Sequence, residues 1–325
     1  MTILDDQRVI AIEEHYLDPE VAPLFEGIDG NAARMLRTEL DDVGEGRIAS
    51  MDAAGIDVQV LSHAPPGPQR LDAETAVRVS MAANDRLRDI CSAHPDRFAG
   101  FAMLPTTDPA AAADELERSV DKLGFKGAMI HGLTGPDRLF FDDRRFWPIY
   151  ERAQALDVPL YIHPAIPHPD VMNAYFKDYA KEHPGFLTAG WGFTMETATA
   201  GIRIVLSGVL EKYPGTKIIL GHLGEGIPFL MWRIDYSFSR AANKPGMKFR
   251  ELFTEHFYIT TSGNFSDPAL LCTVMEMGID RVLFSIDYPF VPNDGAWLDW
   301  AKNTSFSAAD RAKIIGGNAA KLLNL

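Results

Sequence analysis

Cysteine is nearly absent from this chain: Cys91 and Cys272 are the only two among 325 residues. Neither has a neighbour at metal-ligand spacing, and two thiols make no disulfide framework. Both read as small buried hydrophobes in a reducing compartment. Long apolar runs are also lacking. None approaches the ~20 residues that span a bilayer, so no membrane partner is expected. Met1–Asp6 carries no basic segment ahead of an apolar core, so no secretory leader is expected and the reading is cytoplasmic. Basic charge is in deficit: Lys and Arg number 31 against 45 Asp and Glu, a formal net charge of −14. That balance argues against nucleic acid and anionic surfaces as partners. An anionic substrate would have to be caught by a local positive site, against the overall field.

What recurs is a short apolar run followed by a helical stretch. The runs are Val9–Tyr16, Val58–Ser62, Phe98–Leu104, Gly127–Gly132, Pro159–Ala165, Lys217–Gly224, Phe257–Gly263 and Val282–Pro289. They are short and almost continuously apolar, as strands buried on both faces should be. Helical patterns lie between them: Arg47–Ala54, Ala73–Ala93, Pro109–Leu123, Arg144–Leu156, Thr194–Lys212, Pro268–Met277 and Ser307–Leu323. Asp108 and Ser307 stand at N-cap positions, the first followed by proline and the second by Asp310 three residues on. Eight strands alternating with helices predict an α/β fold, a (β/α)8 TIM barrel occupying residues 1–325 as one domain. An open doubly wound sheet is the rival. It usually carries a glycine-rich turn after its first strand, and here that position reads EEHYLDPE. Two connections are long, Leu17–Gly46 after the first strand and Ile166–Gly190 after the fifth. Both leave the carboxyl ends of strands, where barrel enzymes place their sites, and both are candidate lids or subunit contacts.

Polar residues at the ends of buried strands mark the chemistry. Glu13 and His15 lie two apart on the first strand and share a face. They read as a metal pair or as a solvated ion pair. His163 ends the fifth run, His222 the sixth and Asp287 the eighth. Alone, each histidine is as easily a hydrogen-bonded core residue. Together on one barrel mouth, Glu13, His15, His163 and Asp287 cluster charge that a cation would have to offset. Two nitrogens and two oxygens suit one divalent ion such as Zn²⁺ or Mn²⁺. His222 and Glu225, three apart across a glycine-rich turn, form an acid/base dyad or a bystander histidine beside a helix-start carboxylate.

The set EEH at the first strand, YIHP at the fifth, GHLGEG and MWRID at the sixth, TTSGNF at the seventh and SIDYPF at the eighth resembles the amidohydrolase superfamily. MDAAGID at Met51–Asp57 and HPDRF at His94–Phe98 extend the likeness over nearly the whole chain. More narrowly, it resembles the metal-dependent, non-oxidative decarboxylases related to aminocarboxymuconate-semialdehyde decarboxylase, and among them the ortho-hydroxybenzoate group (γ-resorcylate and 2,3-dihydroxybenzoate decarboxylases). The resemblance implies Glu13, His15, His163 and Asp287 as ligands of one metal, Asp287 also moving a proton, and His222 with Glu225 as the sixth-strand catalytic pair. The fourth strand ends Met129-Ile130-His131, without the lysine that bridges two metals in many of the superfamily's hydrolases. His131 replaces an asparagine usual in resorcylate-type enzymes and so points to different ring contacts. Arg47 and Arg233 are candidate anion contacts or helix-holding salt bridges. Trp191, Phe290 and Tyr288 are candidate aromatic walls or ordinary core.

The implied reaction is reversible decarboxylation of a small ortho-hydroxybenzoate to a phenol and CO₂, without organic cofactor or dioxygen. The rivals are metal-dependent hydrolysis of an amide or lactone on the same barrel, and a barrel that only binds aromatic acids. By resemblance the chain is expected to be a homodimer or homotetramer.

Overall fold

The computed structural model describes residues 7–25, 35–244 and 246–325. The apolar runs form β1 (Ile10–Tyr16), β2 (Val58–His63), β3 (Phe98–Gly100), β4 (Ala102–Met103), β5 (Ala128–His131), β6 (Pro159–His163), β7 (Lys217–Leu220), β8 (Phe257–Thr260) and β9 (Val282–Leu283). β3 and β4 are halves of one stave, parted at Phe101, so the nine segments make eight staves among the described residues. β1 to β3 pair in order and β4 to β9 pair in order, all parallel. At the divided stave the Phe101 N–H donates to Leu61 O on one side, and the Lys126 N–H donates to Gly100 O on the other, both at 2.9 Å. The last seam closes between β9 and β1. Glu14 bridges to Tyr288, the His15 N–H donates to Tyr288 O at 2.7 Å, and the Asp287 N–H donates to Glu13 O at 3.2 Å. The sheet is therefore a closed (β/α)8 barrel, as the alternation predicts.

Residues alternate along each stave between two buried layers. Ile10, Ile12, Val58, Val60, Phe101, Met129, Tyr161, Ile219 and Leu283 fill the barrel, joined by Leu322 and Leu323 of the C-terminal helix Asn318–Leu323. Ala11, Leu61, Ile130, Leu160, Ile162, Leu220 and Ile259 face outward to the helical ring. The floor is thus apolar and sealed, and polar side chains gather at the carboxyl ends of the strands.

Several boundaries differ from the sequence reading. The helix expected over Thr194–Lys212 starts at Gly192 and breaks at Gly208, whose φ of 86° is left-handed, giving Gly192–Ser207 and Val209–Lys212. The C-terminal helix passes through a wider turn at Lys313–Gly317. Helices Phe249–His256 and Ala296–Asn303 are additional to those read from the sequence. The sixth run ends as a strand at Leu220, and His222 to Gly226 form a turn instead. The expected caps are made: Asp108 accepts from Ala111 N and Ser307 from Asp310 N, each at 3.1 Å. In the long connection after β1, residues 26–34 lie outside the described residues; the connection after β6 folds into short helices at Pro169–Val171 and Pro184–Leu187. Cys91 and Cys272 are unpaired and half-buried. Among the described residues no helix is long and apolar enough to cross a membrane.

Candidate active site

Simple alternation from Ile10 and Ile12 would aim Glu14 into the barrel and turn Glu13 and His15 outward. The structure avoids this with a β-bulge. Between Ala11 and Glu14 the register against β2 slips by one residue, so Ile12 and Glu13 both face inward and His15 follows them. Ser285 pins the bulge. Its Oγ accepts from the Glu13 N–H at 2.6 Å and donates to Glu14 Oε1 at 2.9 Å. Glu14 also accepts from the Ile286 N–H at 2.9 Å. Burial pushes the Glu14 carboxyl up to about 8, against the pull of those donors. Glu14 thereby ties the closing seam, a role the sequence reading overlooked because its neighbours carried the motif.

Glu13, His15, His163 and Asp287 come together, with one ligand atom of each lying within 4.8 Å of all the others. Glu13 Oε1 is 3.3 Å from His163 Nε2, and Asp287 Oδ1 is 3.3 Å from His15 Nε2. Glu13 Oε1, His15 Nε2 and Asp287 Oδ1 are all buried without a hydrogen-bond partner. Orphaned buried polar atoms are rare, and three facing one point fit a shared cation. Ligand atoms about 2.1 Å from one ion lie about 3.4 Å apart in tetrahedral geometry and at most about 4.2 Å apart when opposite, so the widest pair draws in by roughly 0.6 to 1.4 Å around an ion. The other edges of the ligands are already held. Glu13 Oε2 accepts from the hydroxyls of Tyr161, Ser262 and Thr260. A Cβ on Gly221 would stand 3.0 Å from that oxygen, so the close approach needs glycine. His15 Nδ1 meets Ser62 Oγ at 3.2 Å, and His163 Nδ1 donates to Pro164 O at 2.7 Å. These contacts turn both Nε2 atoms toward the centre. Burial lowers the His15 pKa, favouring the neutral ring a metal needs. Burial pushes Glu13 up, but the adjoining His163 ring and the charge of His222 outweigh it and hold the carboxyl well below its ordinary range.

His222 and Glu225 form the dyad, with His222 Nδ1 2.8 Å from Glu225 Oε1 and Nε2 3.8 Å from Asp287 Oδ2. The turn that joins them keeps φ positive from His222 through Gly226. His222, Leu223 and Glu225 bear the strain of that conformation, of order 1 kcal/mol or more each, which the surrounding contacts must offset. Burial opposes a charged imidazole, but the Glu225 charge and the contact with Asp287 raise the His222 pKa well above its usual value. Asp287 itself has φ 78°, which aspartate tolerates better than most residues.

The centre opens into a cavity of about 170 Å³ that His163, His222, Asp287 and Phe290 help to line. A space of that order accepts a benzene ring. Phe290 lies on the wall as expected, its ring 5.4 Å from that of His15. Four other expectations are corrected. Arg47 is buried in the barrel wall, where Nε donates to Gln59 Oε1 at 2.7 Å and Nη1 to His15 O at 2.8 Å; it holds β1 and does not reach the cavity. His131 sits behind His163. Its Nδ1 is 3.1 Å from His163 Nδ1 and its Nε2 donates to His63 O at 2.9 Å, so the ring orients a cluster histidine. Trp191 caps helix Gly192–Ser207 and is 47% exposed, while Phe193 takes the wall position two residues on. Arg233 lies on the exposed outer face of helix Ile227–Ser239. Tyr288, the other candidate wall, stacks beneath Arg47 at 4.8 Å. The sequence reading missed Gln69 and Arg70, which line the cavity from the turn after β2. The signal was there: a cation just past the carboxyl end of a strand, in a connection too short to draw notice.

The profile of the amidohydrolase family matches residues 24–325. The γ-resorcylate decarboxylase of Polaromonas sp. (strain JS666) is 42% identical over 326 residues, covering 97% of this chain and 98% of that protein. Among solved structures, dihydroxybenzoic acid decarboxylase from Polaromonas sp. JS666, with bound manganese and the inhibitor 2-nitroresorcinol, superimposes with a TM-score of 0.87 at 41% identity, covering 98% of this chain and 97% of that one. The 5-carboxyvanillate decarboxylase of Sphingomonas paucimobilis gives 0.91 at 35% identity, covering 98% and 100%.

Proposed function

The chain belongs to the amidohydrolase family, and from that premise we propose that it is a metal-dependent, non-oxidative decarboxylase of ortho-hydroxybenzoates. The observation that carries this reading is the convergence of three orphaned buried atoms, on Glu13, His15 and Asp287, beside a histidine–glutamate dyad and a ring-sized cavity. Glu13, His15, His163 and Asp287 are the residues that would hold one divalent cation. The manganese in a related structure favours Mn²⁺ over Zn²⁺. When bound, such an ion supplies Lewis acidity to a substrate carboxylate and its ortho oxygen.

The chain's own residues do the rest. Phe290 and Phe193 flank the ring and exclude water. Direct loss of CO₂ would strand an electron pair on an aromatic carbon. Protonation of that carbon comes first, making the carboxylate part of a non-aromatic dienone. Asp287 is the donor in this reading, since it faces both the cluster and the cavity. The carbon–carbon bond then breaks, its electrons restore the aromatic ring, and CO₂ leaves. His222, its tautomer held by Glu225, stands 3.8 Å behind Asp287 and returns the proton.

We also read the chain as one domain that assembles as a homo-oligomer. Helix Ile227–Ser239 presents Phe229, Leu230, Trp232 and Tyr236 to solvent, a stripe that a second copy would cover. Sedimentation velocity tests this, and a monomer at micromolar concentration would refute it.

The activity test is an ultraviolet assay of metal-replete protein on 2,6-, 2,3- and 2,4-dihydroxybenzoate, salicylate and 5-carboxyvanillate, with CO₂ detected in parallel. Phenol and CO₂ in equal amounts are expected from at least one. Silence across the panel with metal present would overturn the reading and send the search to lactones and amides.

A further inference from the structure

The TTSGNF run, Thr260–Phe265, is a motif that the proposed reaction leaves without a task. Thr260 ends β8 and Ser262 follows it, both fully buried. Tyr161 comes up from β6, also fully buried. The hydroxyls of all three converge on one atom, Glu13 Oε2. They also bond one another: Tyr161 Oη and Thr260 Oγ1 are 2.9 Å apart, and Thr260 Oγ1 and Ser262 Oγ are 2.8 Å apart. Each hydroxyl has a single hydrogen. Those of Tyr161 and Ser262 go to Glu13 Oε2, where Thr260 stands farther off at 3.3 Å and ties the other two together. Ser262 Oγ further accepts from the His222 N–H at 3.3 Å, which anchors the array in the dyad turn. Gly221 leaves the space for it. A Cβ there would lie 3.0 Å from both Glu13 Oε2 and Ser262 Oγ, and 3.2 Å from Tyr161 Oη.

A carboxylate oxygen has about two lone-pair directions, and two O–H donors fill both on Oε2. Glu13 Oε1 is buried without a partner, 3.3 Å from His163 Nε2. Glu13 therefore offers a cation one oxygen, unless a hydroxyl lets go. Asp287 is divided alike: Oδ1 is the orphan, and Oδ2 faces His222 Nε2 at 3.8 Å. The cluster then supplies four donor atoms, one from each residue. An octahedral ion such as Mn²⁺ takes about six, which leaves roughly two positions. A substrate carboxylate oxygen and its ortho oxygen need both. Glu13 gripping with two oxygens would close one of them.

We propose that the hydroxyl array of Tyr161, Ser262 and Thr260 is a positioning device that holds Glu13 to one metal-facing oxygen and so keeps a coordination position open for the ortho oxygen of the substrate. For the substrate this rests on the decarboxylation reading; for Glu13 it rests on the cluster alone.

Water-proton relaxation of the Mn²⁺-loaded protein counts the exchangeable waters on the ion. Wild type should hold about two. Tyr161→Phe keeps the ring and removes one donor from Oε2, so the count should fall to about one with Mn²⁺ still stoichiometric. Ser262→Ala should do the same, and it decides the matter if Tyr161→Phe does not fold. Thr260→Ser keeps its hydroxyl and should keep the wild-type count. With one position closed, Tyr161→Phe and Ser262→Ala should lose roughly 10- to 100-fold in kcat/KM. Salicylate should bind them more weakly than it binds wild type, while benzoate, which has no ortho oxygen, should bind all three alike.

A wild-type count of one, or variants that keep two waters, would overturn the proposal. So would variants that lose Mn²⁺, because the hydroxyls would then serve affinity. The two readings fail separately. If no acid of the panel releases CO₂ and the count still drops in the variants, decarboxylation fails and the hold on Glu13 stands. If CO₂ is released and the counts stay equal, the hold on Glu13 fails alone.

Discussion

Replacing His131 by leucine separates two accounts of this residue. As a neighbour of the substrate it would govern KM; as the partner of His163 it would govern the metal. The structure supports the second. Burial and the surrounding histidines hold the His131 pKa well below its usual value, so the ring is neutral. Its Nε2 carries the proton that goes to His63 O, which leaves Nδ1 as an acceptor for the His163 Nδ1–H at 3.1 Å. Leucine removes that acceptor, but Pro164 O at 2.7 Å still receives the same hydrogen. The loss is therefore one shared hydrogen bond, about 1 kcal/mol, with no donor left bare. That converts to a weakening of metal binding of roughly 5- to 10-fold, the low end for outer partners of a ligating histidine. Mn²⁺ titration against a competing chelator measures it, alongside KM at saturating metal. His131→Gln, which can restore an acceptor, should recover part of the affinity. Unchanged metal affinity with a tenfold rise in KM would refute the reasoning and put the imidazole on the substrate.

Asp287→Asn keeps the side-chain shape and tolerates the positive φ, so kcat at saturating metal should fall by about 10²- to 10⁴-fold; a wild-type rate would remove Asp287 as proton donor. His163→Ala should emerge from chelator dialysis with substoichiometric metal, and full occupancy by elemental analysis would strike His163 from the ligand set. His222→Asn should slow turnover while metal content holds, whereas metal loss in that variant would make His222 a ligand. Glu196, 6% exposed in helix Gly192–Ser207, has its carboxyl pushed up to about 7 by burial. Folded protein keeps it neutral where the unfolded chain ionises near its ordinary value of 4.5, so stability declines as pH rises from about 4.5 to about 7 and levels off above. Glu196→Gln should lack that decline and gain, relative to wild type, up to about 3 kcal/mol between pH 4.5 and 8; parallel urea curves for the two proteins across that range would contradict this.

Much of the active site was legible in the sequence because barrel geometry is forgiving of detail. A parallel barrel sends the carboxyl end of every strand to one mouth, so a polar residue at the end of an apolar run needs no long-range information to be placed there. That is why Glu13, His15, His163, His222 and Asp287 could be gathered from eight short runs, and why the short-range link from His222 to Glu225 was visible in a glycine-rich turn. Helices Phe249–His256 and Ala296–Asn303 were overlooked although each is amphipathic, since eight residues make only about two turns and so short an apolar stripe is hard to tell from a loop.

Side-chain destinations were decided elsewhere. Arg47 and Arg233 look alike as arginines in helical stretches, yet one is locked inside the wall by Gln59 and His15 O and the other stands on an outer helix face. His131, expected at the substrate, serves His163, and the unnoticed Arg70 lines the cavity, because the space beside His163 and the opening past β2 depend on how neighbouring staves pack. The β1 bulge is the sharpest case. Local alternation counts residues from Ile10 and predicts the wrong carboxylate inside; only pairing with β2 and the contacts of Ser285, just past β9, insert the extra residue that turns Glu13 and His15 inward. The chain's own pattern therefore determined the barrel and the identity of its ligands, since both follow from which residues are apolar and where the runs end. Tertiary structure decided which atoms meet, because register and bulge are properties of two strands hydrogen-bonded together and belong to neither strand alone.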